Sequence, residues 1–488
     1  MVRLLVRTTL MLLGIAVVGA APLYAGGDTH DTSPQRKVAV NAPTVKALIS
    51  SMQHHHPYTR AIKEGSVQAG ANLDIAQSAF DPFVEQNSFS RVTGYYHGTS
   101  LQQRVVKPIE DYNASVFTEY RITNGDFPVY EQEYETLSAG EASIGIAFSL
   151  LKGRDTDKRR MGVENARLDF QAWQAEANEL LNSFIYKGLS DYLIWYESAL
   201  QVQALESLLA TVSERENAIA TRVKQGDLAQ IALTEFRANV LQQTLLVEKL
   251  KQKRDGYAHA LSYFLRDSNG NIIDLRHATL APNDIEWPFW VGEAQINTLR
   301  SQLLAHPTLK SMRLAQSQNQ NKVRLANNAL LPKLDVKATI AQDFGGGSTT
   351  LDDTESKVGL SFSYPLGNRQ AKAEVTKAQS KNRELAFKID ALQQRLVQSF
   401  EQAYTYWQQA KRVVKLQEEN AELARELSSM ERQRFNEGDS DMFVLNARTS
   451  AEIKAQMKEI EARVDLLKAE LTLYNVAAAL PLYASTAE

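Results

Sequence analysis

Two hydrophobic periods alternate along this chain. Over long stretches apolar residues recur every three or four positions; over short ones they recur every second position. From 42 to 79 the helical period is carried by Val45, Leu48, Ile49 and Met52. The stretch from Asp155 to Gln225 contains no proline and keeps a stripe of Leu205, Leu208, Leu209, Val212, Ile219 and Val223. As one helix it would span ~106 Å at ~1.5 Å per residue. Such a helix cannot bury its stripe alone, so the pattern predicts coiled-coil partners along its whole length. Segments 229–265, 369–437 and 440–475 carry the same pattern and supply them.

Strands are predicted at about 82–97, 141–151, 332–344 and 356–365. Ile144, Ile146, Phe148 and Leu150 alternate with Ser143, Gly145, Ala147 and Ser149. Leu334, Val336, Ala338 and Ile340 do so in a later segment, as do Val358, Leu360, Phe362 and Tyr364. One apolar face and one small or polar face mark a half-exposed strand. Four strands of this length cannot close a barrel in one chain, whereas three chains would supply twelve, with the apolar-out, polar-in pattern of a bilayer barrel. A soluble antiparallel sheet capping a helical domain would show a similar period. Residues 97–142 read as a turn-rich surface loop around Asn124-Gly125-Asp126, strand-like only over 116–122, and GGGSTTLDDTES as a short polar loop.

The patterns occur twice. Tyr192, Trp195, Val202, Arg222, Gly226, Asp227 and Leu233 recur 212 positions later as Tyr404, Trp407, Val414, Arg434, Gly438, Asp439 and Leu445. His56-Pro57 and Pro82 recur at an offset of 250, while Gly145, Phe148 and Ser149 recur at 214, so the first copy carries about 36 extra residues between Pro82 and Gly145. A fixed offset of this kind is an internal duplication. The expected layout is a first repeat at 42–265 (hairpin 155–265), a connector at 266–294, a second repeat at 295–476 (hairpin 369–475) and a tail at 477–488. In the connector, Trp287 and Trp290 are expected to pack against the helices.

The ends and composition narrow the setting. Arg3 and Arg7, an apolar Thr8–Ala20 and Leu23-Tyr24-Ala25 form a signal peptide over 1–25, followed by a polar linker at 26–41. Its removal takes the formal charge from −3 to about −5, which offers nucleic acid no footprint. The absence of cysteine excludes disulfides, thiol catalysis and thiolate metal ligation, and suits a Gram-negative envelope.

Nothing in the pattern asks for catalysis, a cofactor or a metal. No phosphate loop or catalytic carboxylate pair is recognisable. His54-His55-His56 is read as a polar helix junction: neighbouring histidines diverge on a helix, and no carboxylate recurs at the ligating spacing. Asp155-x-Asp157 ahead of KRR reads as a helix N-cap region.

Taken in order, these features resemble the TolC-like outer-membrane efflux proteins. The two-copy layout carries the resemblance, with a His-Pro early in each copy. So do "LLPKLDVKATI", "FSYPLGNRQAKAEVTKAQ" and a glycine break, RVKQGD or RFNEGD, in each copy. It implies a mainly α fold with a small β part: a homotrimer whose twelve-stranded barrel in outer-membrane lipid continues as a periplasmic α-helical tunnel. It implies a passive exit duct for tripartite efflux or type I secretion. A periplasmic adaptor would dock at the tip, and an inner-membrane transporter of RND, ABC or MFS type would feed it. The tip would comprise Gly226, Leu228, Ala229, Gly438, Ser440 and Asp441, with Asp227, Asp439 and Asn446 at the tunnel entrance. Asp227 and Asp439 also fit helix N-caps after a glycine break. Where the family narrows its tunnel with acids, this chain has Phe443 and Asn446. The alternative is a periplasmic coiled-coil structural or adaptor protein without a barrel.

Overall fold

The computed structural model describes residues 43–128, 131, 134–275 and 285–481. The signal peptide and linker readings lie outside the described residues, as do 276–284 of the connector and 482–488 of the tail.

Four helices dominate. Helix α3 (Lys158–Lys224) has 67 residues and α7 (Arg369–Glu437) has 69, so each runs for ~100 Å. Asp157 starts α3, its Oδ1 accepting from the backbone N–H of Arg159 at 2.7 Å and of Arg160 at 3.2 Å. Each long helix turns back into a 35-residue partner, α4 (Gln230–Phe264) and α8 (Met442–Val476). The upper parts of α3 and α7 pack instead on α2 (Pro57–Gln77) and α6 (Pro307–Asn328), while α1 (Val45–Ser50) and α5 (Glu293–Gln302) are short. At each level, therefore, about four helices run side by side. Each of these helices buries its stripe on its neighbours; Val202, Leu205, Val247, Leu250 and Ile453 form one such core. Among the described residues, no helix is long and apolar enough to cross a membrane.

The two His-Pro pairs open α2 and α6. Proline occupies the first helical position, where its missing N–H costs nothing. The preceding histidine caps the helix: Nδ1 of His56 accepts from Tyr58 N–H at 3.1 Å, and Nδ1 of His306 from Thr308 N–H at 3.3 Å. His56 is buried, with Nε2 3.0 Å from the Tyr263 carbonyl, so the neutral ring protonated at Nε2 satisfies both contacts. Burial lowers the pKa of both histidines. His54 and His55 lie in a π-helical turn, Ser51–His55, and among the described residues no metal-ligating cluster forms. Of the connector tryptophans, Trp287 is buried beside Phe289 while Trp290 is exposed.

The sheet corrects the strand count. It has six antiparallel strands in chain order, not four: β1 (Phe83–Arg91), β2 (Gly98–Pro108), β3 (Ser115–Gly125), β4 (Glu141–Ser149), β5 (Lys333–Asp343) and β6 (Glu355–Ser363). The stretch read as a surface loop contains β2 and β3. Neither shows a clean period-two pattern, because both of their faces mix polar and apolar residues. The register divides the sheet into two faces. Ile144, Ile146, Ile340, Val358, Leu360 and Phe362 share one face and are exposed. The opposite face carries Arg104, Glu119, Arg121, Glu141 and Lys337, with ion pairs between Arg121 and Glu141 at 2.8 Å and Arg104 and Glu119 at 3.8 Å. Apolar residues exposed on one face and charges on the other reverse the arrangement of a water-soluble sheet.

Candidate functional site

The end of the helical hairpins opposite the sheet is built twice on one turn. After α3, Gly226 takes φ +85°; after α7, Gly438 takes φ +83°. This left-handed backbone favours glycine. The Gly226 N–H donates to the Val223 carbonyl at 3.1 Å and the Asp227 N–H to Arg222 at 3.0 Å. In the second copy Gly438 donates to Phe435 at 3.2 Å and Asp439 to Arg434 at 2.9 Å. Each is a Schellman turn, with the aspartate amide closing the outer ring.

This places the acids differently from the N-cap expectation. Asp227 and Asp439 sit on the C-terminal side of the finished helix and do not cap the next one. Asp441 is the N-cap of α8, accepting from Val444 N–H at 2.8 Å, whereas α4 starts at Ala229 with no side-chain cap. The Asp439 carboxylate lies 3.5 Å from Arg434, and Asp227, Asp439 and Asp441 are all exposed.

The other expected tip residues divide. Gly226, Ala229 and Gly438 are exposed. Leu228 is half-buried and packs on the core of Val212, Ile219, Leu233, Phe236, Phe435, Met442 and Leu445 that joins the two hairpins. The Ser440 hydroxyl donates to the buried Glu431 carboxylate, so it braces the turn. Asn446 is half-buried one turn into α8.

Two further apolar residues stand at the tip, Ile231, which the sequence pattern does not single out, and Phe443, which it marks only as standing where the family places an acid. Ile231 and Phe443 open the return helices and are 67% and 72% exposed. They stand 212 positions apart, so they are the same position in the two copies. The duplication offset holds the signal that could find them. Farther along the bundle, Glu452 is buried, and burial followed by the nearby Arg432 lowers the pKa of Arg215 despite the opposing pull of Glu452.

Residues 298–479 match the outer membrane efflux protein family. The second repeat is an outer membrane efflux protein domain. Three solved structures share the fold across both chains. The outer-membrane channel OprN aligns with a TM-score of 0.65 at 14% identity, covering 90% of each chain. The open state of the Neisseria gonorrhoeae MtrE outer membrane channel aligns at 0.63 and 14%, covering 89% of each. The Campylobacter jejuni CmeC outer membrane channel aligns at 0.61 and 12%, covering 92% of this chain and 90% of its own. No curated protein matches at the sequence level. The likeness to these TolC-like channels is therefore one of fold, and it extends over the first repeat as well.

Proposed function

We propose that the chain is the outer-membrane channel-tunnel of a tripartite efflux or type I secretion system. It is a passive duct, with no catalytic step, for substrates delivered by an inner-membrane transporter through a periplasmic adaptor. The observation that carries this reading is the reversed polarity of the sheet. Its exposed face is apolar and its inner face charged, and it is joined at one end to helices ~100 Å long. A periplasmic coiled-coil protein has no use for such a sheet.

One chain cannot complete the duct. The sheet ends in two unpaired edges, β1 and β6. On α7, Val413, Leu416, Leu423, Leu427 and Met430 form an exposed stripe at heptad spacing. A homotrimer covers both features with further copies of the same surfaces, placing the barrel in the outer membrane and the helices in the periplasm. The adaptor docks on the paired tip residues Ile231 and Phe443, beside Gly226, Ala229, Gly438 and Asp441.

Planar-bilayer recording of the purified mature protein, with its mass measured in mild detergent, tests the reading. Discrete conductance steps from a trimer are expected. A silent, monomeric, water-soluble protein would overturn it.

A further inference from the structure

We propose that β2 and β3 are full wall strands, so that three copies close an eighteen-stranded barrel and not a twelve-stranded one. This rests on the trimeric duct proposed above and concerns what forms its wall.

The first observation is register. Strand β2 pairs with β1 from Phe83↔Val106 to Arg91↔Gly98, and with β3 from Pro108↔Ser115 to Gly98↔Gly125. Strand β3 pairs with β4 from Ser115↔Ala147 to Arg121↔Glu141. Strands β1 and β4 do not pair with one another. Lifting the hairpin out would open a gap between them, with two new rows of unpaired backbone groups, which lipid does not tolerate.

The second observation is where the hairpin ends. An insertion in an external loop would stop at the outer rim. Here the turn between β2 and β3 reaches the opposite end of the sheet, where the helices begin. Asn113 Nδ2 donates to Ser149 Oγ at 3.1 Å, and Arg159 of α3 donates to Asn113 Oδ1 at 2.8 Å. Lys107 Nζ donates to the Phe80 carbonyl at 2.8 Å. The inserted pair spans the whole height of the wall.

The two faces also continue across β3 and in part across β2, whose rows are mixed. On the inner side Phe117 of β3 is buried between Arg104 of β2 and Lys337 of β5, whose charged groups lie 3.9 and 5.1 Å from its ring centre. A Cβ on Gly145 of β4 would collide with that ring, so the neighbouring strand carries glycine where Phe117 crosses it. On the outer side Val105, Val116, Tyr120 and Ile122 extend the apolar face of β4 to β6. Four of the polar outward residues of β1 and β2 bond to each other: Gln103 donates to Gln86 at 3.0 Å, and the Ser90 and Thr99 hydroxyls lie 3.1 Å apart.

The width agrees as well. Strands ~4.8 Å apart and tilted by ~40° give about 36 Å across for eighteen strands and about 24 Å for twelve. Twelve helices ~9 Å apart, four from each chain, form a ring about 34 Å across. Eighteen strands meet that ring without a taper, and give a lumen about twice the area of a twelve-stranded one.

The absence of native cysteine makes the test direct. Val116→Cys and Thr118→Cys in β3, with Ile144→Cys and Leu360→Cys as references in β4 and β6, are labelled with bimane in the full-length protein in lipid vesicles. Brominated lipid and aqueous iodide then serve as quenchers. The expected result is lipid quenching at 116 and 118 within about twofold of the references, with little iodide quenching. If 116 and 118 are quenched only by iodide while 144 and 360 remain in lipid, the hairpin lies outside the bilayer. The eighteen-stranded wall is then wrong and the duct stands. If all four sites are quenched by iodide alone, the duct itself falls. Electron cryomicroscopy of the trimer decides the same point independently: eighteen strands around the wall uphold the proposal, and twelve overturn it.

Discussion

Glu470 of α8 is 2% exposed, and burial pushes its pKa up to about 7. The indoles of Trp407 and Trp287 and the backbone of Val291 lie close enough to offset part of that rise, without closing a well-formed hydrogen bond. The unfolded chain ionises this group near the ordinary glutamate value of 4.5. Between there and about 7 the folded state holds a proton that the unfolded state has lost. Stability from this residue is thus full below the unfolded pKa, falls as pH rises through that window and is flat above it; the whole difference is about 3 kcal/mol. The buried histidines His56 and His306, whose pKa values are lowered, act in the opposite sense, so the test is a comparison between variants in thermal melts of the assembled protein at pH 5 and pH 8. Glu470→Gln should lower the melting point at pH 8 less than at pH 5 relative to the native sequence, or raise it at pH 8; an identical shift at both pH values would assign the effect elsewhere. A second residue-scale prediction concerns Gly438. No atom lies within 4 Å of where its Cβ would stand, so Gly438→Ala meets no clash, only the strain of φ +83°. The cost should be about 1 kcal/mol, largely recovered by Gly438→Asn. Hydrogen exchange confined to the α7–α8 turn would report it.

At the scale of elements, the α7 stripe makes the sharper claim. Leu423 and Leu427 are 53% and 46% exposed in one chain, although their heptad spacing is that of a coiled-coil seam. Leu423→Glu with Leu427→Glu should convert the trimer to monomers in detergent while leaving helical circular dichroism unchanged. A trimer that survives the pair would place the seam on another face. The long helices were legible because a stripe repeated over tens of residues cannot arise from local preference. The turns were legible as glycine breaks, but not the roles of their acids. A Gly-Asp pair fits a C-terminal turn as well as an N-cap, and only the bonds to Arg222 and Arg434 separate them. The strands β4, β5 and β6 announced themselves by alternation. Strand β2 did not: Thr99, Leu101, Gln103, Val105 and Lys107 face one way and Ser100, Gln102, Arg104 and Val106 the other, with no contrast between the two rows. Its place is set by its neighbours' ladders, which no single-strand pattern can reveal.

For the whole molecule, the tip concentrates charge that a trimer multiplies. Each chain presents Asp227, Asp439 and Asp441 at one end, all exposed, with Phe443 and Asn446 in the following turn of α8. Arg434 lies 3.5 Å from Asp439 and offsets part of that charge, so Asp227 and Asp441 are the less compensated pair. In the proposed trimer, three-fold repetition would place six such carboxylates around one opening, a ring expected to favour cations at the entrance. Asparagine tests charge apart from fold. Asp441→Asn keeps a side-chain oxygen to cap α8, and Asp227 is not a cap. The double variant Asp227→Asn and Asp441→Asn should therefore assemble normally and lose cation preference, seen as a reversal potential moved toward zero in a salt gradient. The effect should be largest at low ionic strength, since exposed charges are screened within ~10 Å at 0.1 M salt. Asp439→Asn alone should shift the potential less, because it removes three carboxylates from the proposed trimer where the double variant removes six. Ile231→Ser with Phe443→Ser, by contrast, should leave the reversal potential where it was and weaken adaptor binding. If the charge variants leave ion preference intact, selectivity is set inside the duct and the tip acts only as a docking surface.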